Sequence, residues 1–147
     1  MDADLISRAP RALIVEDESL IAEELEERLS RLGFSVIAAV DSADEAIAIA
    51  IRDRPDLILM DIRLKGGKDG VQAAIEIRRQ VDVPIVYVTA YSDQRTVNQV
   101  RESDHDGYLL KPFRARELRS TIEVAMQRHA IRTNEKILGG GPASTKQ

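Results

Sequence analysis

Glu16, Asp17 and Glu18 stand in a row directly behind the apolar run ALIV at 12–15. Carboxylates this close raise one another's pKa unless a cation neutralises them. The donors are all oxygen, and the chain has no cysteine and no histidine cluster, so a hard divalent ion, Mg²⁺ or Mn²⁺, is favoured over zinc. Asp61, Thr89 and Lys111 likewise each follow an apolar run. Together they suit phosphoryl transfer. Asp61 would attack phosphorus in line, while the cation, Lys111 and the Thr89 hydroxyl take up charge on the equatorial oxygens, leaving an aspartyl phosphate. Taken singly, an acid after a strand is as readily a helix cap or a solvated loop residue. Convergence of Glu16, Asp17, Asp61, Thr89 and Lys111 on one rim is what favours chemistry.

That convergence requires particular elements. Five apolar runs, RALIV (11–15), SVIAAV (35–40), DLILM (56–60), PIVYV (84–88) and GYLL (107–110), read as strands, most of them apolar on both faces as in a covered parallel sheet. The segments between them have helical spacing. Leu25, Leu29 and Leu32 form one stripe; Ala43, Ala46, Ile47, Ala50 and Ile51 a second; Val71, Ala74, Ile75 and Arg78 a third; Leu118, Ile122 and Ala125 the last. The segment 93–102 offers only Val97 and Val100, so its helix is expected to be the least firmly packed. Ser19 is expected to cap the first helix, Gly33 to supply its left-handed stop, Pro55 to end the second and Pro84 to open the fourth strand. The order is β-α five times. Strands separated by helices run parallel with right-handed crossovers, and such sheets bind ligands outside the C-terminal strand ends, where strand order reverses.

Length and composition bound the rest. At 147 residues and 44% hydrophobic content the chain suits one domain. A net charge of −4 disfavours nucleic acid or an anionic membrane as main partner. The absence of cysteine fits a reducing compartment. The N-terminal MDADLISRAPR lacks an apolar signal core, and no run approaches the ~18 apolar residues of a membrane span. A cytoplasmic protein is expected. The stretch GGGPASTKQ at 139–147 reads as a flexible tail or the start of a linker.

The motifs LIVEDES, LILMDIRL, VYVTAYSD and GYLLKPF, in this order and spacing, resemble the receiver domain of two-component response regulators, the CheY-like superfamily, from about Arg11 to about His129. The resemblance implies an α/β, doubly wound flavodoxin-like (βα)5 fold, strand order 2-1-3-4-5. It implies an N-terminal extension at 1–10, a receiver at 11–130 and a flexible C-terminal tail at 131–147. It also implies Asp61 as phosphoacceptor, Asp17 as a direct Mg²⁺ ligand, Glu16 acting mainly through water and the main-chain carbonyl of Arg63 as a further ligand. Thr89 and Lys111 would bind the phosphoryl group, a cis Lys111–Pro112 bond would position the ammonium, and Tyr108 would be the switch aromatic that turns inward when Thr89 moves. The partners implied are a sensor histidine kinase or phosphotransfer protein and a downstream protein target met through helix 4, strand 5 and helix 5, with a homodimer through that surface as one form of partnership. Neither nucleic acid nor membrane is implied. Chemistry would be limited to self-phosphorylation and autodephosphorylation, without enzymatic turnover.

Two features depart from the family's pattern. Lys65 stands where many receivers place a proline, and the loop KGGKDG runs one residue long. Arg63 and Tyr91 occupy positions that tune dephosphorylation in the family, so the sequence leaves the phosphate's lifetime open. Rival readings are a receiver segment of a larger hybrid kinase, a metal-dependent aspartyl phosphatase, and a nucleotide or flavin binder. A phosphatase needs a second acid two residues after the nucleophile, where Arg63 stands; a nucleotide site needs glycines after strand 1, where EDES stands. Arg95, Arg101, Arg116 and Glu117 read as a solvated face, Phe113 as core, and His105 and His129 as uninvolved.

Overall fold

The computed structural model describes residues 8–102 and 105–139. Of the expected terminal segments, 1–7 and 140–147 lie outside the described residues. The elements alternate throughout: β1 (Arg11–Val15), α1 (Ser19–Arg31), β2 (Ser35–Val40), α2 (Ala43–Asp53), β3 (Leu57–Met60), α3 (Gly70–Arg78), β4 (Ile85–Thr89), α4 (Gln94–Glu102), β5 (Gly107–Leu110) and α5 (Ala115–Gly139). All strand pairs are parallel and the order is β2-β1-β3-β4-β5. This is the expected doubly wound, flavodoxin-like arrangement, with strand order reversing beside β1.

Period-two alternation assigns each strand residue to one of two cores. Leu13, Val15, Ile58, Met60, Ile85 and Tyr87 face α2 and α3, packing on Ala46, Ala50, Ala74 and Ile77. Ala12, Ile14, Leu57, Leu59, Val86 and Val88 face α1 and α5, packing on Leu25, Leu29, Leu118, Ile122 and Ala125. The central strands β3 and β4 are buried along their whole length, and the edge strands β2 and β5 are less covered.

Several local expectations hold and others need correction. Gly33 takes φ 97° after α1, and α2 stops at Arg54, held at φ 47° immediately before Pro55. Ser19 is not the cap of α1. Glu18 occupies that position in extended backbone, and its carbonyl accepts the first helical bond from Ala22 N–H at 2.9 Å, so Ser19 is already helical. On α3 the buried arc is Gly70, Val71, Ala73, Ala74 and Ile77, and Ile75 is 39% exposed. The capping box formed by Asp69 and Gln72 starts the helix at Gly70, and the face packed on the sheet is centred on the 70/74/77 line, which leaves Ile75 at its edge.

Helix α5 continues to Gly139, past the boundary expected at 130. Its later turns are fastened to the body by Arg132, which donates to Asp106, and the His129 Nε2 lies 3.2 Å from Asp82. The KGGKDG loop is also tethered: Lys65 N–H donates to the Asp41 carbonyl at 3.3 Å, and its ammonium lies 3.3 Å from the Asp41 carboxylate.

One glycine is required by a close approach. A Cβ on Gly70 would stand 2.0 Å from the main-chain oxygen of Asp61, and Gly70 N–H donates to the Ile62 carbonyl at 2.7 Å. Backbone cannot yield as a flexible side chain can. Gly70→Ala is expected to lower stability by about 3 kcal/mol, read from the denaturation midpoint, and to displace the segment carrying Asp61.

Candidate functional site

The parallel register aligns the ends of the central strands. Val15 pairs with Met60, Met60 with Tyr87, and Thr89 with Leu110, so the residues that follow emerge on one rim. Backbone bonds extend the ladders past the strands: Glu16 N–H to Val40 at 2.8 Å, Asp61 N–H to Val15 at 2.9 Å and Lys111 N–H to Thr89 at 2.9 Å. Glu16, Asp61, Thr89 and Lys111 are therefore set by the sheet rather than by a free loop.

Lys111 organises the centre. Its ammonium lies 2.7 Å from Glu16 Oε1 and 3.0 Å from Asp61 Oδ2, with Glu18 further off at 3.9 Å. The bond preceding Pro112 is cis, as expected. The other Asp61 oxygen, Oδ1, accepts from Ile62 N–H at 2.7 Å, which orients the carboxylate. The Glu16 and Asp61 side chains are 1% and 6% exposed, so two carboxylates share one ammonium largely out of water.

The charges respond to this crowding. Burial pushes the Glu16 carboxyl up to about 7; the Asp61 charge adds to the rise, and the hydrogen bond from Lys111 opposes it. For Lys111, burial pulls downward but is outweighed by the bonds and charges of Glu16 and Asp61, so its pKa is raised and it remains an ammonium.

The carboxylate oxygens of Glu16, Asp17 and Glu18 lie within 4.8 Å of one another, the one such group among the described residues. Hard oxygen donors at this spacing fit a divalent cation of the Mg²⁺ class. The expected set was Glu16, Asp17, Asp61 and the Arg63 carbonyl. The structure brings Glu16 and Asp17 together with Glu18, and joins Asp61 to Glu16 through Lys111. Glu18 was in view in the sequence as one of three adjacent acids, but nothing in the spacing showed its carboxylate turning back toward the other two.

Thr89 is fully buried at the end of β4, and its hydroxyl accepts from Tyr91 N–H at 3.4 Å. Tyr108 stands on the neighbouring strand β5 opposite Tyr87, half-buried, with its hydroxyl donating to the Tyr91 carbonyl. Burial and the nearby Asp93 charge raise the Tyr108 pKa. Both candidate switch residues thus converge on the β4–α4 connection. The histidines have other contacts: the His105 ring is tilted against Tyr87 at 5.5 Å between centroids, and His129 meets Asp82.

Across residues 12–123 the sequence matches the family described as "Response regulator receiver domain". The chain belongs to that family. Among curated relatives, the receiver is 37% identical over 118 residues to the transcriptional regulatory protein PdtaR of Mycobacterium tuberculosis, covering 80% of this chain and 57% of that one. It is 36% identical to the probable transcriptional regulator ycf27 of Porphyridium aerugineum, covering 80% of this chain and 48% of that one. The chain therefore spans about half the length of these relatives.

Solved structures agree. The signal receiver domain of a modulated diguanylate cyclase from Desulfovibrio desulfuricans G20 superposes with a TM-score of 0.79 at 35% identity, covering 85% of this chain and 99% of that one. The receiver domain of a sensor histidine kinase from Pseudomonas aeruginosa PAO1, whose structure has a magnesium ion coordinated in the active site cleft, gives 0.74 at 33% identity, covering 82% and 99%. Among the described residues of this receiver, no helix is long and apolar enough to cross a membrane.

Proposed function

We propose that this receiver is a phosphorylation-activated switch whose acceptor is Asp61. The observation that carries the reading is the ammonium of Lys111 held 3.0 Å from the Asp61 carboxylate in a site shielded from water. In the reaction, an Asp61 oxygen forms a bond to phosphorus as the phosphorus–nitrogen bond of a phosphohistidine on a sensor kinase or phosphotransfer protein breaks. Lys111 then transfers its contact from the carboxylate to a phosphoryl oxygen, and the Thr89 hydroxyl binds another. Glu16, Asp17, Asp61 and the Arg63 carbonyl would hold Mg²⁺, which supplies charge neutralisation for the transferring group. Arg63 stands two residues after Asp61, where an aspartyl phosphatase needs an acid to protonate a leaving alcohol, and this supports a switch over a phosphatase that turns over.

The modified aspartate offers charge and acceptor oxygens that exist only after transfer, and these bias an equilibrium at α4, β5 and α5. The output is contact with a protein partner in the cytoplasm rather than with nucleic acid. Acetyl phosphate with Mg²⁺ tests the whole reading. Phosphate incorporation seen by intact mass, with amide shifts spreading from Asp61 to α4 and β5, is the expected result. No incorporation, or steady turnover of a small phosphomonoester, would overturn it.

The pH dependence of metal binding follows from Glu16. A carboxyl raised to about 7 keeps its proton below that pH and must release it to serve as a ligand. Mg²⁺ affinity of the unmodified protein is therefore expected to rise with pH, by up to about tenfold per unit below 7, and to level off above. The same shift has a stability sign. Between the ordinary carboxylate value and 7 the folded state holds a proton the unfolded chain has released, so the metal-free fold loses stability as pH rises through that window. Magnesium titrations followed by amide shifts across this range check the first effect, and denaturation midpoints check the second.

A further inference from the structure

Helix α4 is the most loosely held element. Thr96 and Val100 are its buried residues among those described, and Val97 is half-buried. Two aliphatic side chains give a nine-residue helix little apolar anchoring. Thr96, however, is a fully buried polar residue, and its hydroxyl makes two bonds at once. Oγ1 donates to Asp93 Oδ1 at 2.8 Å and accepts from Arg63 Nη2 at 3.4 Å. Thr96 N–H also donates to Asp93 Oδ2 at 3.3 Å, so Asp93 caps the helix and braces the threonine.

Arg63 comes from the β3–α3 connection, two residues beyond Asp61. Its guanidinium also lies over the Tyr91 ring, 4.6 Å from the centroid, in cation–π contact. The carbonyl of Tyr91 is in turn held by the Tyr108 hydroxyl. Tyr91 is thus gripped at its ring from the acceptor loop and at its main chain from β5. The lowered pKa of Asp93, caused first by the Thr96 hydroxyl and also by the Arg63 charge, agrees with these groups acting as one cluster.

We infer that the Arg63 side chain is a positioning residue that fastens the first turn of α4 to the acceptor loop through Thr96 and Tyr91, and so carries movement of that loop to α4 by a route parallel to Thr89 and Tyr108. The resting position of α4 then depends on a polar clasp rather than on apolar packing. Transmission of movement along this route rests on Asp61 being the acceptor.

Thr96→Val tests the clasp without changing the volume at the buried position, and Arg63→Ala removes its exposed partner. Amide exchange at residues 97–101 of the full chain is measured unmodified and with beryllofluoride plus Mg²⁺. In the unmodified protein each variant is expected to raise exchange in α4 by about five- to tenfold, with α2 unchanged. The double variant should fall short of the sum of the two singles, because both break the Arg63–Thr96 bond, while Arg63→Ala alone also loses the Tyr91 ring contact and Thr96→Val alone the hydroxyl bond to Asp93. Thr96→Val should also at least halve the response of α4 to beryllofluoride while Asp61 still takes up phosphate from acetyl phosphate. Unchanged α4 exchange in both single variants, additive effects in the double variant, or an undiminished beryllofluoride response in Thr96→Val would each overturn the inference. If the wild-type chain takes up neither phosphate nor beryllofluoride, the switch reading fails and the exchange data from unmodified protein still decide the clasp.

Discussion

Asp61→Asn is expected to reduce phosphate uptake from acetyl phosphate by at least ~10³-fold, because the amide has no nucleophilic carboxylate oxygen while its shape is retained. The contrast with wild type is sharpened by what the substitution leaves in place. The amide oxygen of the substituted side chain can still accept from Ile62 N–H, as Asp61 does at 2.7 Å, and Lys111 keeps its 2.7 Å partner in Glu16. Loss of uptake would therefore report the missing nucleophile rather than a collapsed site. Removing the Asp61 charge also removes one of the causes that raise Glu16, so Glu16 should ionise at lower pH in the variant. The pH at which Mg²⁺ affinity levels off should move down with it. Intact mass after acetyl phosphate treatment reads the first effect, and magnesium titration at several pH values reads the second. Uptake by the variant at the wild-type rate would place the acceptor elsewhere on the rim.

The features most legible in the sequence are those written in short-range patterns. Apolar runs gave all five strands within a residue, because strands buried on both faces leave little room for polar residues. Their order, and the acids, hydroxyl and lysine just beyond them, sufficed to bring Glu16, Asp61, Thr89 and Lys111 to one rim. Long-range polar pairing was not legible. Periodicity treats Thr96 as a polar residue on a weak helix, yet it is fully buried and its hydroxyl accepts from Arg63, which crosses from another loop. Ile75 fits a helical stripe in the sequence, but α3 packs on the sheet through Val71, Ala73, Ala74 and Ile77, and periodicity alone does not fix that rotation. The last turns of α5 are a similar case: His129 and Arg132 look solvated when read alone, yet they lie against residues far away in the chain, Asp82 and Asp106.

Asp106 is where such pairing should matter most for stability. It precedes β5 at the end of the sheet remote from the acceptor, and its side chain is wholly buried. One carboxylate there accepts from Ile85 N–H at 3.0 Å, from Arg78 of α3 and from Arg132 of α5. Asp106 N–H donates back to the Ile85 carbonyl at 2.9 Å, so the start of β5 is locked to the start of β4 on both sides. Asp106→Ala would remove the charge shared by two guanidiniums, one of them only 11% exposed, and the acceptor of a buried backbone N–H. Breaking a buried pair from one side costs about 3–5 kcal/mol, equivalent to about 10 °C or more in melting temperature for a domain of this size. Arg132→Ala acts on the more exposed partner, 36% accessible, and should cost nearer ~1 kcal/mol. Amide exchange should place that smaller loss in the last turns of α5, leaving the acceptor rim unchanged. The ranking is the test, because a carboxylate that only completed a surface ion pair would make the two substitutions equal, whereas one that joins α3, β4, β5 and α5 makes Asp106→Ala several times worse.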